Sequence, residues 1–540
     1  MLLPRIHKEP IGKVEFLNML FRVARHPLNR VLVGFSDLLR FPLVVGLFLI
    51  CSSSYTSLTA QAQSHEGKSI SIHGVATVPR VVFDAYHSHT WIDTLPVPGL
   101  NDYHLLTNLT RAWKSLESQG WESRLQLSAW DSQALESTDL VVLNLPSADL
   151  PPFLVPEVIA LRDYVMQGGG LVVILDHTNC YFHQHVLGSL FAELDIVLWN
   201  ETACDRVPHK LASGNAWLRI RGFSEHPIVN GLQEIGVQTA GVTDSRFGIA
   251  WTGTQGWGDL GRVPKYGEGQ DVGFFGDFQQ QPHERTGPLP VVAAKEFGKG
   301  RIVVIADQNL VGSMFLPYAD NRKLWIQATE WASGREPLEP IKTKKWGEGE
   351  RTVVWCYEPI AMNKAYWGST DPDRLYHAYG LLSKHTEPHV TDRVVPESQW
   401  LFIPDDDLFE NPEVTRLAQQ FIQSAERHLV VLSSSKEVGE SPNRSDVVPP
   451  WLISLVGENN DPLDFAQGTG GSNLTSWKLI NGTKIHVASK VHWDNRAIAS
   501  PYKTRNEDQE REDLARLEHF WNNGMYRVDP IDQEFHIPNE

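Results

Sequence analysis

Residues 168–185 read GGGLVVILDHTNCYFHQH, and this stretch is the part of the sequence that is most informative about the fold. Three glycines are followed by the unbroken apolar run 171–175, and Asp, His, Asn and Cys come directly after it. An apolar run without alternation that follows a helix-like segment is typical of a central parallel strand buried on both faces. The polar residues therefore lie at the carboxyl end of that strand, which is where open α/β sheets bind their ligands.

Strand-like and helix-like segments alternate on both sides of this stretch. Between residues 79 and 335 the predicted strands are 81–84, 121–127, 139–145, 171–175 and 302–306, and the predicted helices are 103–120, 156–166 and 321–331. This alternation predicts an α/β domain in which helices cover a parallel sheet. Residues from about 187 to 291 are less regular and rich in Gly and Trp, so we expect an inserted or β-rich elaboration there.

The same order of elements recurs after residue 351. Its predicted strands are 352–357, 399–403, 429–432 and 484–489, and its predicted helices are 373–385, 412–426 and 513–521. A period of roughly 270 residues indicates a diverged copy of a whole domain, because the repeats of a solenoid are far shorter. We therefore predict a first domain at 79–335, a Pro- and Lys-rich linker at 336–350 and a second, degenerate domain at 351–530.

The two predicted copies differ at their strand ends. Glu358, Ser433, Ser434 and Ser435 stand in the second copy where the first has its Asp and His residues. We therefore expect any ligand to bind the first copy alone.

The first 62 residues have the three parts of a secretory signal. Several arginines precede the apolar run 41–51, and Ala60, Gln61 and Ala62 offer a small-residue cleavage site. The run is shorter than the ~20 residues of a membrane span, but an uncleaved N-terminal anchor is the alternative to a cleaved signal. Both alternatives predict a periplasmic or secreted protein, and the second adds an anchor in the inner membrane.

The net charge limits the kinds of partner that the chain can bind, and the cysteines limit the disulfides that it can form. The formal net charge of -17 argues against nucleic acid, because a nucleic-acid-binding face needs clustered Lys and Arg. Beyond residue 62 the cysteines are Cys180, Cys204 and Cys356. In an oxidising compartment Cys180 and Cys204 could form a disulfide, whereas Cys356 lies inside an apolar strand pattern.

Two further motifs accompany the strand pattern: HPIVNG at 226–231 and GKGRIVV at 298–304. Together with the order of elements, they resemble the class I glutamine amidotransferase-like superfamily. Within it the chain is most similar to the branch of intraflagellar-transport and gliding-motility auxiliary proteins and bacterial envelope proteins. The resemblance implies a flavodoxin-like, doubly wound parallel sheet, an extracytoplasmic role, frequent loss of amidotransferase chemistry, and binding of a ligand or sugar.

The chain departs from this superfamily at the nucleophile. Active class I amidotransferases carry a Cys on a tight, glycine-flanked turn directly after the strand that corresponds to 171–175. Here Asp176 and His177 occupy that turn, and Cys180 follows later without flanking glycines. Because a strained turn is needed to expose the nucleophile, we predict no glutaminase activity.

Carboxylates and imidazoles follow three of the predicted strands, whose ends line one crevice. The predicted ligand-binding residues are Asp84, His87, His89, Asp176, His177, Asn179 and Asp307. Four of these are also candidate ligands of a divalent metal such as zinc, namely His87, His89, Asp176 and His177. The structural alternative is that histidines after strands bond loop backbone or cap a helix.

Three functions are compatible with these patterns. The first is an extracytoplasmic protein that binds a small molecule, an envelope polysaccharide or a protein partner, without glutaminase activity. The second is a metal-dependent hydrolase that uses the His and Asp residues of the first domain. The third is a structural component of an envelope or motility complex, in which those residues have no chemical role. The sequence assigns neither an enzymatic activity nor an oligomeric state.

Overall fold

A computed structural model of the chain describes residues 78–88, 90, 92, 108–148, 150–261, 276–334, 352–434, 450–456, 464–466, 474–479 and 481–498. All of the described residues belong to one compact unit. The predicted signal or anchor at 1–62, the linker at 336–350, the helix at 513–521 and His89 lie outside the described residues. Within those ranges, none of the helices combines the length and the apolar character needed to cross a membrane.

The first part of the chain forms one large sheet, two small sheets and covering helices. Its strands are β1 Arg80–Asp84, β2 Glu122–Gln126, β3 Leu140–Asn144, β4 Gly170–Ile174, β5 Trp199–Cys204, β6 Trp217–Ile220, β7 Gly222–Phe223, β8 Ile235–Gln238, β9 Gly241–Val242, β10 Gly248–Trp251, β11 Trp257–Leu260, β12 Pro290–Phe297 and β13 Gly300–Ile305. Its helices are α1 Thr110–Ser118, α2 Ser132–Leu135, α3 Val155–Met166, α4 His183–Glu193, α5 Gln308–Val311 and α6 Asn321–Ser333.

The large sheet has the order β2-β1-β3-β4-β13-β12-β10-β7. Its first five strands are parallel neighbours, and β12, β10 and β7 continue the sheet in antiparallel pairs. Numbered along the chain, the parallel strands have the 2-1-3-4-5 order of a flavodoxin-like sheet. The predicted fold class is therefore confirmed. The two small sheets, β11-β5-β9 and β6-β8, lie within the Gly- and Trp-rich region.

Strand β4 is the centre of this sheet and is buried along its whole length. Val172 and Ile174 join the core that contains Trp325 of α6, whereas Leu171 and Val173 join the core on the other face. A strand covered on both faces has no polar positions, which explains its continuous apolar run. Gly170 is required because a Cβ there would lie 2.5 Å from the carbonyl oxygen of Ala332 in α6.

The second part of the chain repeats this architecture. Its strands are β14 Val353–Tyr357, β15 Glu387–Thr391, β16 Trp400–Ile403, β17 His428–Ser433, β18 Asp464–Ala466, β19 Leu474–Lys478 and β20 Lys484–Ser489, and its helices are α7 Tyr376–His385, α8 Pro412–Ile422 and α9 Pro450–Val456. The order β15-β14-β16-β17-β20 is parallel, and β19 and β18 extend it antiparallel. The parallel strands of this second sheet thus have the same 2-1-3-4-5 order as those of the first.

The two copies share a continuous interface. Met314, Phe315 and Tyr318 of the first copy are fully buried in the apolar core of the second. The backbone N–H of Ala319 donates to the carbonyl of Val390 in β15 at 2.8 Å, and Val390 donates in turn to the carbonyl of Pro317 at 3.1 Å. Each copy therefore supplies part of the other's core.

A buried arginine of the first copy forms hydrogen bonds across this interface. Arg111 of α1 is 4% exposed, and its guanidinium donates to a carboxylate oxygen of Glu387 at 2.9 Å. It also donates to the carbonyls of Ser383 and Thr386, each at 2.9 Å. One side chain of the first copy thus binds the end of α7 and the start of β15 in the second.

Candidate functional site

Two buried carboxylates lie side by side at the carboxyl ends of β4 and β13. These strands pair in parallel up to Ile174 and Ile305, and Leu175 continues the pairing by donating to the carbonyl of Ile305 at 2.8 Å. Asp176 and Asp307, two positions beyond the last paired residues, therefore lie next to each other on one face of the sheet. Asp176 is 5% exposed and Asp307 is 1% exposed.

Burial changes the acidity of both carboxyl groups. It raises the pKa of Asp176 well above its usual value, and the neighbouring charge of Asp307 raises it further. Burial also raises the pKa of Asp307 to about 7, although its backbone hydrogen bonds oppose the change. Two adjacent carboxylates in a site of low dielectric cannot both hold a charge at little cost, so the pair retains a proton near neutral pH.

Backbone groups hold the two carboxyl groups in place. Asp307 accepts hydrogen bonds from the backbone of Gln238 at 2.6 Å and of Asn309 at 2.9 Å, and the second bond caps α5. Asp176 accepts from the backbone of His177 at 2.7 Å. Gly241 of β9 packs directly on this turn, where a Cβ would lie 2.6 Å from the carbonyl oxygen of Asp176.

Two neutral histidines stand beside the carboxyl pair. Burial, together with the smaller effect of nearby His183, lowers the pKa of His177 to about 3. Burial also lowers the pKa of His183 to about 4. His183 Nδ1 lies 2.8 Å from the carbonyl oxygen of Cys180, so this nitrogen carries the proton. His177 Nδ1 lies 2.9 Å from the hydroxyl of Thr178.

The turn between β4 and α4 is strained. Thr178, Tyr181 and Phe182 have φ angles of 45°, 50° and 57°, a left-handed conformation that costs non-glycine residues energy. Asn179 bridges the turn: its side-chain nitrogen lies 2.8 Å from His185 Nδ1, and its oxygen accepts from the backbone of Gln184 at 3.0 Å. Strained turns persist where the surrounding structure enforces them, and they concentrate at functional sites.

We refer to Asp176, His177, Asn179, His183 and Asp307 as the strand-end site. A narrow gap at this point, without free space for a water molecule, is lined by Asp176, Thr178, His183, Gln184 and Trp199, among others. Trp199 is 36% exposed, and the guanidinium of Arg285 lies 3.8 Å from the centre of its ring. The strand-end site thus combines uncharged hydrogen-bonding groups with an exposed aromatic edge.

Asp84 and His87 lie on the opposite face of the sheet. Asp84 accepts hydrogen bonds from the hydroxyl of Ser88 at 2.5 Å and from the indole of Trp130 at 3.1 Å. Trp130 and Phe153 belong to the core on the α3 side of the sheet, whereas Val172 and Ile174, which lead to Asp176, belong to the other core. The alternation along the two strands thus sends the Asp84 and Asp176 side chains to opposite faces of the sheet.

Both ring nitrogens of His87 face carboxylates of the chain. Nδ1 lies 3.1 Å from Asp84, and Nε2 lies 3.2 Å from Glu157, although the latter pair is not aligned for a hydrogen bond. The ring stacks on Phe153 at 3.9 Å and is fully buried. These contacts match the structural alternative, in which the histidine secures the loop after β1.

The predicted metal ligands do not gather into a common first shell within the described part of the chain. There, the group of three side chains whose ligand atoms lie within 4.8 Å of one another is Asp405, Asp406 and Asp407 of the second copy. The ammonium of Lys490, 2.6 Å from Asp405, already neutralises part of that group. Because His89 lies outside the described residues, a metal site that includes it stays a prediction.

Cys204 and Glu358 are buried and make contacts within the fold. Cys180 and Cys204 do not form a disulfide, and Cys204 is buried against Ala216 and Trp257. Glu358 is fully buried and accepts the backbone N–H groups of Tyr366 and Trp367 at 3.0 Å. Burial raises the pKa of Glu358 to about 7, against the opposing effect of Arg219.

Sequence reasoning missed the partners that fix these side chains. Glu157 and Trp130 hold His87 and Asp84, and Gln238 holds Asp307, yet all three are remote from those residues along the chain. The sequence offered one signal for the carboxyl pair, because Asp307 follows an apolar strand pattern. Once β4 and β13 are known to be neighbours, this position lies beside Asp176.

No protein-family profile matches the chain, and no curated relative does. Among solved structures, the chain is similar to one described as "mmIFT52 N-terminal domain", with 16% identity, 47% of this chain and 97% of that chain covered, and a TM-score of 0.33. It is also similar to a ThuA-like protein from Parabacteroides merdae, with 14% identity, coverages of 51% and 94%, and a TM-score of 0.27. A β-galactosidase from Bacillus circulans matches with 13% identity, coverages of 48% and 32%, and a TM-score of 0.27. Similarities at this level carry no argument about activity, so the fold rests on the strand order and the function on the site.

Replacing Asp176 by asparagine is expected to stabilise the protein at pH 8 by ~1–2 kcal/mol and to have little effect near pH 4. Both carboxyl groups of the pair have a raised pKa in the folded state. Between about pH 4 and pH 7 the folded state therefore binds more protons than the unfolded state, and this pair's contribution to stability falls as the pH rises. Urea unfolding at the two pH values measures the difference.

Asp163→Asn is the matched control, because this exposed carboxylate on α3 pairs only with neighbouring Arg162 in the described structure. Its substitution should change stability by less than ~0.5 kcal/mol at either pH. If Asp176→Asn destabilised the protein more at pH 8 than at pH 4, the buried pair would be ionised and stabilising, contrary to this account.

Proposed function

We propose that this protein binds a small, uncharged, hydroxylated ligand such as a sugar at the strand-end site of the first copy, whose narrow gap must open to admit it, without hydrolysing glutamine. The supporting observation is that its buried titratable groups are uncharged or share a proton near neutral pH. Such groups donate and accept hydrogen bonds without requiring a charged partner. A ligand of hydroxyl groups satisfies them without burying net charge, which would be costly.

The absence of glutaminase activity is supported by the turn after β4. Asp176 and His177 occupy the place of the nucleophile, and Cys180 starts a short 3₁₀-helix further along. An amidotransferase-like cysteine would have to project from that first turn to reach a substrate carbonyl. The extracytoplasmic location is proposed on the signal-like residues 1–62.

The test is calorimetric titration with glucose, galactose, mannose, N-acetylglucosamine and maltose, with L-glutamine in parallel. We expect at least one sugar to bind, and His177→Ala to weaken its binding about tenfold or more, because a buried hydrogen-bonding partner is lost. His226→Ala is the control: this half-buried imidazole packs on Trp331, away from the strand-end site, and its loss should leave affinity within about twofold.

Glu358 stands in the second copy at a strand end that matches the candidate site, but Glu358→Ala would not serve as a control. Glu358 is a buried acceptor of two backbone N–H groups, and its loss would destabilise the fold. The proposal fails if no sugar binds, or if His177→Ala and His226→Ala have equal effects. Turnover of glutamine that Cys180→Ala abolishes would contradict the second half of the proposal.

A further inference from the structure

A second polar cavity, with a volume of about 320 Å³, opens in the Gly- and Trp-rich region of the first copy. The side chains that line it are Arg206, Thr254, Gln255, Gln280 and Thr286. The backbones of Gly256 and Gly287 complete the wall. None of these residues belongs to the strand-end site, and the volume lies within the range of small-molecule sites.

The backbone around this cavity is fixed by hydrogen bonds. Gly287 donates to the carbonyl of Gly256 at 2.8 Å, and Gly256 donates to the carbonyl of Gly253 at 3.0 Å. Gly253 in turn donates to the buried carboxylate of Asp205 at 2.6 Å. A Cβ at Gly287, where φ is 108°, would have no neighbour within 4 Å, so glycine leaves this part of the wall open. The cavity is therefore preformed, which reduces the entropic cost of binding.

Among the described residues of the lining, Arg206 is the one that carries a charge. Its guanidinium lies 5.6 Å from the centre of the Trp257 ring and donates to the side-chain oxygen of Gln280 at 2.9 Å. In the described structure no carboxylate forms an ion pair with it, so its charge is available to a ligand. A guanidinium without an ion-pair partner, in a lining whose described residues include no carboxylate, favours an anion.

The remaining side chains of the lining are neutral donors and acceptors. Thr254, Gln255 and Thr286 form no side-chain hydrogen bonds with other described residues. Hydroxyl and carboxamide groups in this number suit a ligand with several hydroxyl groups, because each group can both donate and accept.

We propose that this cavity is a separate binding site for a small hydroxylated anion, of which a sugar acid with one carboxylate is the representative. Arg206 binds the carboxylate, and the Gln and Thr side chains bind the hydroxyl groups. The site does not depend on the proposed function of the strand-end site, since the two share no residue.

The test is calorimetric titration of the whole protein with sodium glucuronate. Glucose, which has the hydroxyl groups without the carboxylate, and inorganic phosphate, which is an anion without a sugar ring, are titrated in parallel. In His177→Ala, where the strand-end site is weakened, we expect glucuronate to bind more tightly than glucose or phosphate, and we expect Arg206→Gln to weaken glucuronate binding about tenfold or more, because a charged hydrogen bond is lost. Arg416→Gln is the matched control, since it removes one exposed arginine from α8 in the second copy and should change affinity less than twofold.

Thr254→Trp provides a second variant, because Thr254 is exposed and a large ring there fills the cavity without disturbing a core. It should abolish glucuronate binding, whereas His177→Ala should leave it unchanged. The proposal is overturned if glucuronate does not bind, if glucose or phosphate binds the His177→Ala protein as tightly as glucuronate does, or if Arg206→Gln and Thr254→Trp leave the affinity intact. Loss of glucuronate binding in His177→Ala would assign the ligand to the strand-end site instead.

Discussion

Replacing Arg111 by methionine is expected to lower the free energy of unfolding by about 3–5 kcal/mol, the range seen when one partner of a buried ion pair is removed. Arg111 is buried between the two copies and binds Glu387, Ser383 and Thr386 together. Burial alone would raise the pKa of Glu387, but Arg111 and Arg322 outweigh it and lower the pKa to about 2. Methionine has a similar length and no charge, so a buried carboxylate and two carbonyls lose a donor.

Urea unfolding at pH 7 measures this loss, and Arg416→Met is the matched control. Arg416 pairs with Glu413 on the surface, where both side chains are more than half exposed. Removal of an exposed ion pair costs roughly 0–1 kcal/mol. If both variants lost the same small amount, the interface between the copies would contribute little to stability, and the view of a single packed unit would be wrong.

Ending the chain after residue 350 is expected to abolish soluble, folded protein. The cut exposes Met314, Phe315 and Tyr318, which are fully buried against the second copy, and removes the acceptors that the second copy supplies to Arg111. Large exposed apolar patches of this kind lead to aggregation. Size-exclusion chromatography and near-ultraviolet circular dichroism of the truncated chain test the expectation.

The matched experiment is coexpression of residues 352–540 as a separate chain. If the interface is what the truncated chain lacks, the second chain should restore a soluble complex of both parts. A truncated chain that is monomeric and retains native near-ultraviolet dichroism on its own would show that the first copy folds independently.

The fold was largely accessible from the sequence because its central strands are covered on both faces. The run 171–175 predicted β4, and the repeat of the pattern after residue 351 predicted a second sheet of the same order, which the structure confirms. The sequence did not reveal β15, since Pro388 and His389 interrupt its apolar pattern at the edge of the second sheet. An edge strand tolerates proline because its N–H groups on one side need no partner.

The candidate site was only partly accessible, because strand ends alone do not tell which face a side chain occupies. Asp84 and Asp176 both follow apolar strands, but the alternation along β1 and β4 sends them to opposite faces. Asp307 was correctly placed on a neighbouring strand of the sheet, and the parallel register of β4 and β13 sets it beside Asp176. The pairing of His87 with Glu157 depends on how α3 packs, which no local pattern encodes.

The interlocked cores also set a condition on the synthesis of this chain. Tyr318 leaves the ribosome long before the last described strand, β20, which ends at Ser489. At translation rates of 5–20 residues per second, roughly 10–30 seconds pass between the synthesis of Tyr318 and the synthesis of β20, which completes the second sheet. During that interval Met314, Phe315 and Tyr318 are exposed, and holding chaperones are the natural means of keeping the unfinished chain from associating with its neighbours.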